Sequence, residues 1–385
     1  MLPEATDVLI VGAGPAGLTL ALALRRDGLS PLLIEKDVLP AETSRAGVVH
    51  ARTLEVLAPL GVTEPLLREG MMLDTLRVRS GGRVLFRIDF AGLPTDYPGV
   101  LMCPQDRTEA VLRACLEQAG GSTVRGAEFV GLRQTPDGVT AEIRHEGASH
   151  SVKAPWLVGC DGMHSRVRDA AGIGFPGGRY DGNFVLADVH MDWPLGRDEL
   201  TLFLGGSGMM VVAPLPGDRF RIIATVDTAP ETVSIDFVQA IVDARGPQRR
   251  KGRITGMPWS SRFRVHHRLA ERFREGRVLL CGDAAHVHSP AGGQGMNIGI
   301  QDSATLAAPL LAALRGEGEA SLGAWTVRQR GIAEGVIAQT DRMMRMGTLA
   351  SRPARAARNA ALAVANRIPP FRHAVARMLA ELDNR

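Results

Sequence analysis

The sequence predicts an α/β protein built on a parallel sheet, with a β-rich unit inserted into it and a helical C-terminal region. Near its start, the apolar strand Asp7-Val-Leu-Ile-Val11 runs straight into Gly12-Ala-Gly14-Pro-Ala-Gly17 and then a helix-periodic segment. Near its end, the apolar run Val278 to Cys281 stops at Gly282-Asp283, and a glycine-rich turn and a second helical segment follow. Between them, Phe184 to Thr228 alternates in the strand manner around Gly205-Gly206 and Pro216-Gly217 turns.

Composition narrows the class. The 385 residues suit two domains sharing an interface. Apolar residues at 45% support a large core, and aromatics at 4% imply mostly aliphatic walls around any aromatic ligand. Met1 to Asp7 carries acids where a secretory signal needs bases. The apolar run Val8 to Leu24 holds Gly12, Gly14, Pro15 and Gly17 and ends in Arg25-Arg26, which argues against an integral membrane segment. A cytoplasmic protein is expected. Cys103, Cys115, Cys160 and Cys281 form no Cys-x-x-Cys pair and read as reduced, buried thiols. The net charge of +4 is uneven: nine arginines against Asp341, Glu381 and Asp383 give 9 − 3 = +6 from Asp341 to Arg385, leaving 4 − 6 = −2 elsewhere. That tail reads as an amphipathic helix with a solvated arginine face, and no nucleic-acid partner is expected.

The elements follow in order. Leu18 to Arg26 predicts a helix capped by Gly28, and Pro31 to Ile34 a second strand ending at Glu35, 18 residues after Gly17. With a strand before, a helix after and an acid in register, the glycines mark a dinucleotide site: a tight turn, close backbone approach to a pyrophosphate, and an acceptor for ribose hydroxyls. Arg45, beside Ala46 and Gly47, is placed to contact phosphate; the competing reading is a surface salt bridge. Leu76 to Phe90 predicts a hairpin turning at Gly81-Gly82, Ala110 to Gln118 a helix after Gln105, and Thr123 to Trp156 further strands. Leu157-Val-Gly-Cys-Asp161-Gly162 is another strand ending in an acid and a glycine, so Asp161 and Asp283 are expected to meet one ligand from two sides. Strands at Ala187–Met191, Leu200–Leu204, Met209–Val212 and Arg219–Val226 make a separate sheet. A helix follows at Ile235 to Arg245, then a crossing at Pro258-Trp259, a strand at Phe263–Val265, and the Gly-Asp stretch, where Asp283 reads as a buried carboxylate needing a partner. After the helix Ile298 to Leu314 the chain is largely helical, with breaks at Pro353 and Pro369-Pro370.

His286-x-His288, with Cys160 and Cys281, invites a metal reading, but further ligands at suitable spacing are missing and no metal is expected. Met210, Val212 and Pro214 share one strand face and form the pool of substrate-facing residues, with strand core as the competing reading.

Gly12-x-Gly14-x-x-Gly17, then Asp161-Gly162-x-His-Ser165-x-Val167-Arg168, then Gly282-Asp283-Ala-Ala-His286 with Pro290 resemble the single-component (class A) FAD-dependent aromatic monooxygenases of the p-hydroxybenzoate hydroxylase fold. The phrase Pro290-Ala-Gly-Gly-Gln-Gly-Met-Asn297 looks most like the hydroxylases of aromatic polyketides and phenols. The likeness covers Asp7 to about Gln339. Many relatives have Pro-Pro where this chain has Ser289-Pro290, and polyketide hydroxylases often carry a C-terminal thioredoxin-like domain that would begin near Asp383.

The resemblance implies a Rossmann-like FAD-binding domain of the GR2-type flavoprotein fold from residues 1–72, 100–176 and 269–340. It implies a β-sheet-rich substrate domain from 73–99 and 177–268, and a helical region over 341–385. By the same resemblance Gly12, Gly14, Ala16 and Gly17 would hold the FAD pyrophosphate and Glu35 the adenosine ribose. Arg45, Ala46, Gly47 and Gln105 would contact the cofactor, Asp161 would lie where FAD and NAD(P)H bind, and Asp283 would hold the ribityl chain. Pro290, Gly293, Gly295, Met296 and Asn297 would line the flavin ring. NADPH or NADH would reduce the flavin, O2 would add to give a C4a-hydroperoxide, and an electron-rich small-molecule aromatic would be hydroxylated by a monomer or homodimer. No catalytic side chain is named. The alternatives are epoxidation, Baeyer–Villiger insertion or dehydrogenation by a related flavoprotein, or a flavin-binding protein without turnover.

Overall fold

Val8–Val11 and Trp156–Gly159 are buried at every residue, the pattern of parallel strands covered on both faces. In the structure, a computed structural model that describes residues 2–40, 46–180 and 182–385, they lie at the centre of a six-stranded sheet. Its order is Arg274–Glu275, Val278–Leu280, Trp156–Gly159, Val8–Val11, Leu32–Glu35, Thr123–Arg125. All neighbours are parallel except the first pair. Val11 pairs with Gly159, and Gly159 with Leu280, so three chain segments leave the same sheet edge side by side: Gly12, Asp161 and Asp283.

The helices are α1 (Pro15–Arg26), α2 (Ala51–Leu57), α3 (Thr63–Glu69), α4 (Gln105–Gln118), α5 (Arg166–Ala170), α6 (Ile235–Arg245), α7 (Gly295–Leu314), α8 (Ala320–Gly347), α9 (Arg352–Ala365) and α10 (Pro369–Leu379). Helix α1 is buried without interruption from Gly17 to Leu24, because α4 and α7 pack on it opposite the sheet. Pro353 and Pro369-Pro370 sit in the first turns of α9 and α10, where a missing N–H is harmless, so they begin helices as well as end them. Helix α8 runs unbroken across residue 340. Among the described residues no helix is long and apolar enough to cross a membrane.

A seven-stranded sheet takes its strands from two stretches, in the order Arg253–Phe263, Asn183–Asp192, Arg219–Val226, Gly208–Pro214, Leu200–Gly205, Thr75–Ser80, Arg83–Asp89. Both its faces are covered. Phe203, Met210, Val212 and Ile222 pack with Val238 and Val242 of α6, while Phe184, Leu204, Met209 and Ala213 pack toward Met344 of α8 and Leu379 of α10. Met210 and Val212 are therefore core against α6, and Pro214 follows them in the alternation. For Met210 and Val212 this is the strand-core reading weighed beside the substrate-facing one, and their neighbours Met209 and Ala213 lie on the opposite face. The crossing expected at Pro258-Trp259 is absent. Both residues lie within Arg253–Phe263, an edge strand that tolerates proline, and a register shift opposite Asp188 to His190 takes up the irregularity.

This sheet is joined to the cofactor-side loops by a buried ion pair. Arg221, 1% exposed, donates from Nε and Nη2 to the two Asp188 carboxylate oxygens at 2.7 and 2.9 Å, and from Nη1 to the Ala46 carbonyl at 2.8 Å. Asp188→Ala, which takes that carboxylate from a buried guanidinium, is expected to destabilise the fold by about 3–5 kcal/mol, read as a lower urea midpoint. Asp188→Leu with Arg221→Met should recover most of the loss. An unchanged midpoint in the single variant would contradict the assignment.

Candidate cofactor site

The three glycines of the first motif do different work. Gly12 has φ +103°, donates its N–H to the Ile34 carbonyl at 2.8 Å, and lies so close to the next strand that a Cβ would sit 2.4 Å from the Cys160 carbonyl oxygen. A Cβ on Gly17 would sit 1.9 Å from the Gly12 carbonyl oxygen, so this glycine lets α1 pack on its own entry turn. A Cβ on Gly14 would meet nothing within 4 Å. Gly14 occupies the N-cap of α1 in extended conformation, with no side-chain cap and no acid in the first turn. The first N–H groups of α1, at Ala16 and Gly17, thus have no intrahelical acceptor, and the positive end of the helix dipole is uncompensated by a side chain. Glu35 accepts from Ala13 N–H at 2.9 Å through Oε2 and from Asp37 N–H at 3.1 Å through Oε1, which holds the turn and leaves lone pairs for a sugar hydroxyl.

The two acid-glycine strand ends separate into distinct roles. Asp161 accepts from Ser165 Oγ at 2.5 Å and from Val167 N–H at 3.1 Å, so its carboxylate closes the start of α5; burial raises its pKa against these bonds. Arg168 donates to the carbonyls of Met163 at 3.1 Å and Ala284 at 3.2 Å, fastening one strand end to the other. Asp283 stands exposed on the one-turn segment Gly282–Ala284. The buried carboxylate expected there is Asp302 of α7, 0% exposed, whose Oδ2 accepts from Gly282 N–H at 3.1 Å and lies 2.6 Å from His286 Nε2. Burial, the largest single influence, would lower the His286 pKa, but the Asp302 charge and hydrogen bond together with the Asp283 charge outweigh it and the net shift is upward. His286 is thereby engaged by a carboxylate and His288 by the Ser289 carbonyl, at 2.9 Å.

The turn before α7 is held from below. Asn297, 0% exposed, accepts from His50 N–H at 2.8 Å and donates to the carbonyls of Val48 at 2.9 Å and Gly293 at 2.8 Å. His50 Nε2 lies 2.8 Å from the Gly292 carbonyl, and Gly293 N–H donates to the Pro290 carbonyl at 3.0 Å. With its side chain fully engaged, Asn297 can offer a ligand its backbone, together with the N–H groups of Gly295 and Met296. Like α1, α7 begins without a side-chain cap or first-turn acid, and the Gln294 Oε1 at its N-cap is buried and unpartnered. A Cβ on Gly299 would lie 3.1 Å from Gly282 Cα and 3.7 Å from Ala16 Cβ. Two uncapped helix starts are therefore pressed together around the Gly282-Asp283 turn.

Ala46 and Gly47 border this site. Gln105 N–H donates to the Ala46 carbonyl at 3.1 Å, its Oε1 lies 3.4 Å from Ala46 N, and Cys103 N–H donates to the Gly47 carbonyl at 3.0 Å. Arg45 lies outside the described residues. Sequence reasoning missed Arg221, His50 and Asp302. Only Asp302 left a signal, as an acid inside an apolar helical period. A cavity of about 900 Å3 opens beyond, between the end of the seven-stranded sheet, the His266–Leu269 strand and α8.

The family described as "FAD binding domain" matches residues 5–340. The chain is 40% identical over 331 residues to 6-methylpretetramide 4-monooxygenase of Streptomyces rimosus, covering 84% of this chain and 59% of that protein. It is 33% identical to pentachlorophenol 4-monooxygenase of Sphingobium chlorophenolicum, covering 82% of this chain and 60% of the relative. The chain thus spans about three fifths of these relatives' length. Among solved structures, the anhydrotetracycline hydroxylase OxyS of Streptomyces rimosus superposes with a TM-score of 0.82 at 32% identity, over 98% of this chain and 76% of that one.

Burial lowers the His50 pKa from 6.5 to about 4, so the folded state holds this ring neutral. A depressed folded pKa means stability present above 6.5 and lost as pH falls toward 4. The loss at pH 5 is about 2 kcal/mol. His288, also lowered to about 4 by burial, acts in the same sense, and His286, raised, in the opposite sense above its unfolded pKa. The urea midpoint should fall from pH 7 to pH 5, and His50→Gln, which keeps a donor for Gly292, should reduce the fall. Equal acid sensitivity in both proteins would contradict this.

Proposed function

The chain belongs to the FAD-binding domain family, and we propose that it is an NAD(P)H- and O2-dependent monooxygenase that hydroxylates a phenolic or polycyclic aromatic substrate. The observation that carries this reading is the pair of uncapped helix starts, α1 and α7, in contact through Ala16, Gly282 and Gly299. One suits the central diphosphate of an extended dinucleotide and the other the negative charge of its reduced flavin ring, with the ribityl chain between them. FAD, once bound and reduced by NADH or NADPH, supplies the activation of O2.

In this reading the chain's own residues bind, orient and exclude water. The N–H groups at Gly14, Ala16 and Gly17 hold the diphosphate, Glu35 the adenosine ribose and Asp283 the hydroxyls of the ribityl chain. The backbone from Pro290 through Gly293 and Gly295 to Asn297 seats the ring, with the α7 N-terminus toward its more negative edge. Ala46, Gly47 and Gln105 close the near side. Asp161 acts through the loop it shapes. No side chain is assigned as general base: with pKa values lowered to about 4 by burial, His50 and His288 are weak proton acceptors, and Asp302 and His286 bind each other. The substrate lies toward the sheet face of Met209 and Ala213, and its class follows the names of the similar proteins, tetracycline-type polyketides and a chlorinated phenol.

FAD-loaded protein given NADPH, 18O2 and a panel of phenols and multi-ring phenols should consume NADPH faster with at least one of them and place one labelled oxygen atom in the product. An oxidised product without label would indicate a dehydrogenase, and no stimulation by any aromatic a flavin-binding protein. Asp283→Ala should weaken FAD binding by about tenfold or more with the fold intact, the loss expected from unmade hydrogen bonds to an anionic acceptor. Unchanged FAD affinity would remove Asp283 from the site.

A further inference from the structure

We propose that the 900 Å3 cavity is a distal recognition site for the far rings of a long fused aromatic substrate, with Tyr180 and Asp341 reading an oxygen substituent remote from the carbon that is oxidised. The inference rests on the aromatic-substrate reading and adds which end of the molecule is selected and by what.

Position comes first. Arg221, Ile223 and Thr225 alternate onto one face of their strand, Arg221 touching Ala46 at the cofactor side and Thr225 lining the cavity. At roughly 3.3 Å per residue, four residues separate these points by about 13 Å, the reach of several fused rings. The second wall connects to the ring-seating turn. The His266–Leu269 strand lines the cavity and pairs with His286–Val287, three residues before Pro290.

Chemistry comes next. Phe184, Ile337 and Met344 provide apolar surface that holds a ring system and leaves its orientation undetermined. Tyr180 supplies the direction. Its N–H donates to the Val265 carbonyl at 3.0 Å, and its ring meets His267 edge-on at 4.9 Å, so the side chain is fixed. Its hydroxyl is buried beside Asp341, and burial with that charge raises its pKa to about 12, so it is a neutral phenol able to donate and accept. Asp341 is in turn held by Arg345 at 2.7 Å. A buried polar group of this kind favours a ligand that matches it and disfavours one lacking the substituent. Charge argues against a dinucleotide here: Asp227, Glu334 and Asp341 balance Arg179, Arg268 and Arg345 around the wall, leaving no net positive field for a diphosphate.

The test measures binding to FAD-loaded protein by calorimetry, so that it stands apart from turnover. The probes are a tetracyclic phenol with a hydroxyl on its terminal ring, the same compound without that hydroxyl, and a single-ring phenol. Ala338→Trp fills the cavity from an exposed position on α8, and Tyr180→Phe removes only the hydroxyl. Ala338→Trp should weaken the tetracyclic probes at least tenfold. Tyr180→Phe should weaken only the hydroxylated one, by roughly 2- to 12-fold. Neither should shift the single-ring phenol by more than twofold. Tetracyclic binding with these sensitivities but no oxygenation would leave this inference standing while the activity reading fails. Affinities unchanged in both variants, no tetracyclic binding at all, or an effect confined to the KM for NADPH would overturn it.

Discussion

The contact among Ala16, Gly282 and Gly299 sets the separation of everything else at the site. It brings the first turn of α1 against the second turn of α7 with the Gly282-Asp283 turn between them, so close that a Cβ on Gly299 would lie 3.1 Å from Gly282 Cα and one on Gly282 3.3 Å from Ala16 Cβ. Helix dipoles act strongly only within their first turn, so bringing two uncapped starts together creates a locally positive surface from backbone alone. That explains how a site for an anionic ligand is built here without a cluster of lysines or arginines among the described residues that form it. It also explains why Gly12 and Gly17 are packed while Gly14 is open: the first two permit the approach of strand and helix, and the third is where a ligand meets bare N–H groups.

Around that contact the acids differ in burial and in what they hold. Asp302 organises the Gly282 turn with His286, and Asp161 closes α5. Asp283 remains exposed between the helix starts, and Glu35 keeps acceptor capacity after fixing Ala13. In the seating turn before α7, Asn297 and His50 hold the carbonyls of Gly293 and Gly292, and the first N–H groups of α7 lie beyond the reach of the intrahelical pattern. Arg221 then ties the seven-stranded sheet to the Ala46 loop, so the second sheet and the cofactor-side loops form one connected framework.

Much of this was legible in the sequence because it depends on local period and local backbone. The strand–turn–helix at Gly12 to Gly17, Glu35 at the tip of the next strand, the hairpin at Gly81-Gly82 and helix α6 at Ile235–Arg245 each follow from spacing alone. What was not legible depends on which surfaces meet. Met210 and Met209 are equally apolar neighbours, and because both faces of their sheet are covered, alternation says that the faces differ without saying which one looks toward the cofactor. Asp283 and Asp302 are both acids near one turn, and only the packing of α7 decides that the second is buried. Pro258 signals a break unless the strand is known to be an edge. Arg221 meets a carbonyl distant in sequence, a relation that no single-chain period encodes.

The central claim is that the open N-cap of α1 is kept uncapped for an anion, and the substitution Gly14→Asp addresses it most directly. Gly14 has the extended conformation an N-cap requires and empty space where a side chain would go, so aspartate there should satisfy the helix start and stabilise the protein by about a few tenths of a kcal/mol. Fluorescence titration of the apo-protein with FAD, beside its thermal melt, reads both consequences. The account predicts an equal or higher melting temperature together with FAD affinity reduced by at least a hundredfold. A variant that melts as predicted and still binds FAD like the parent protein would contradict it.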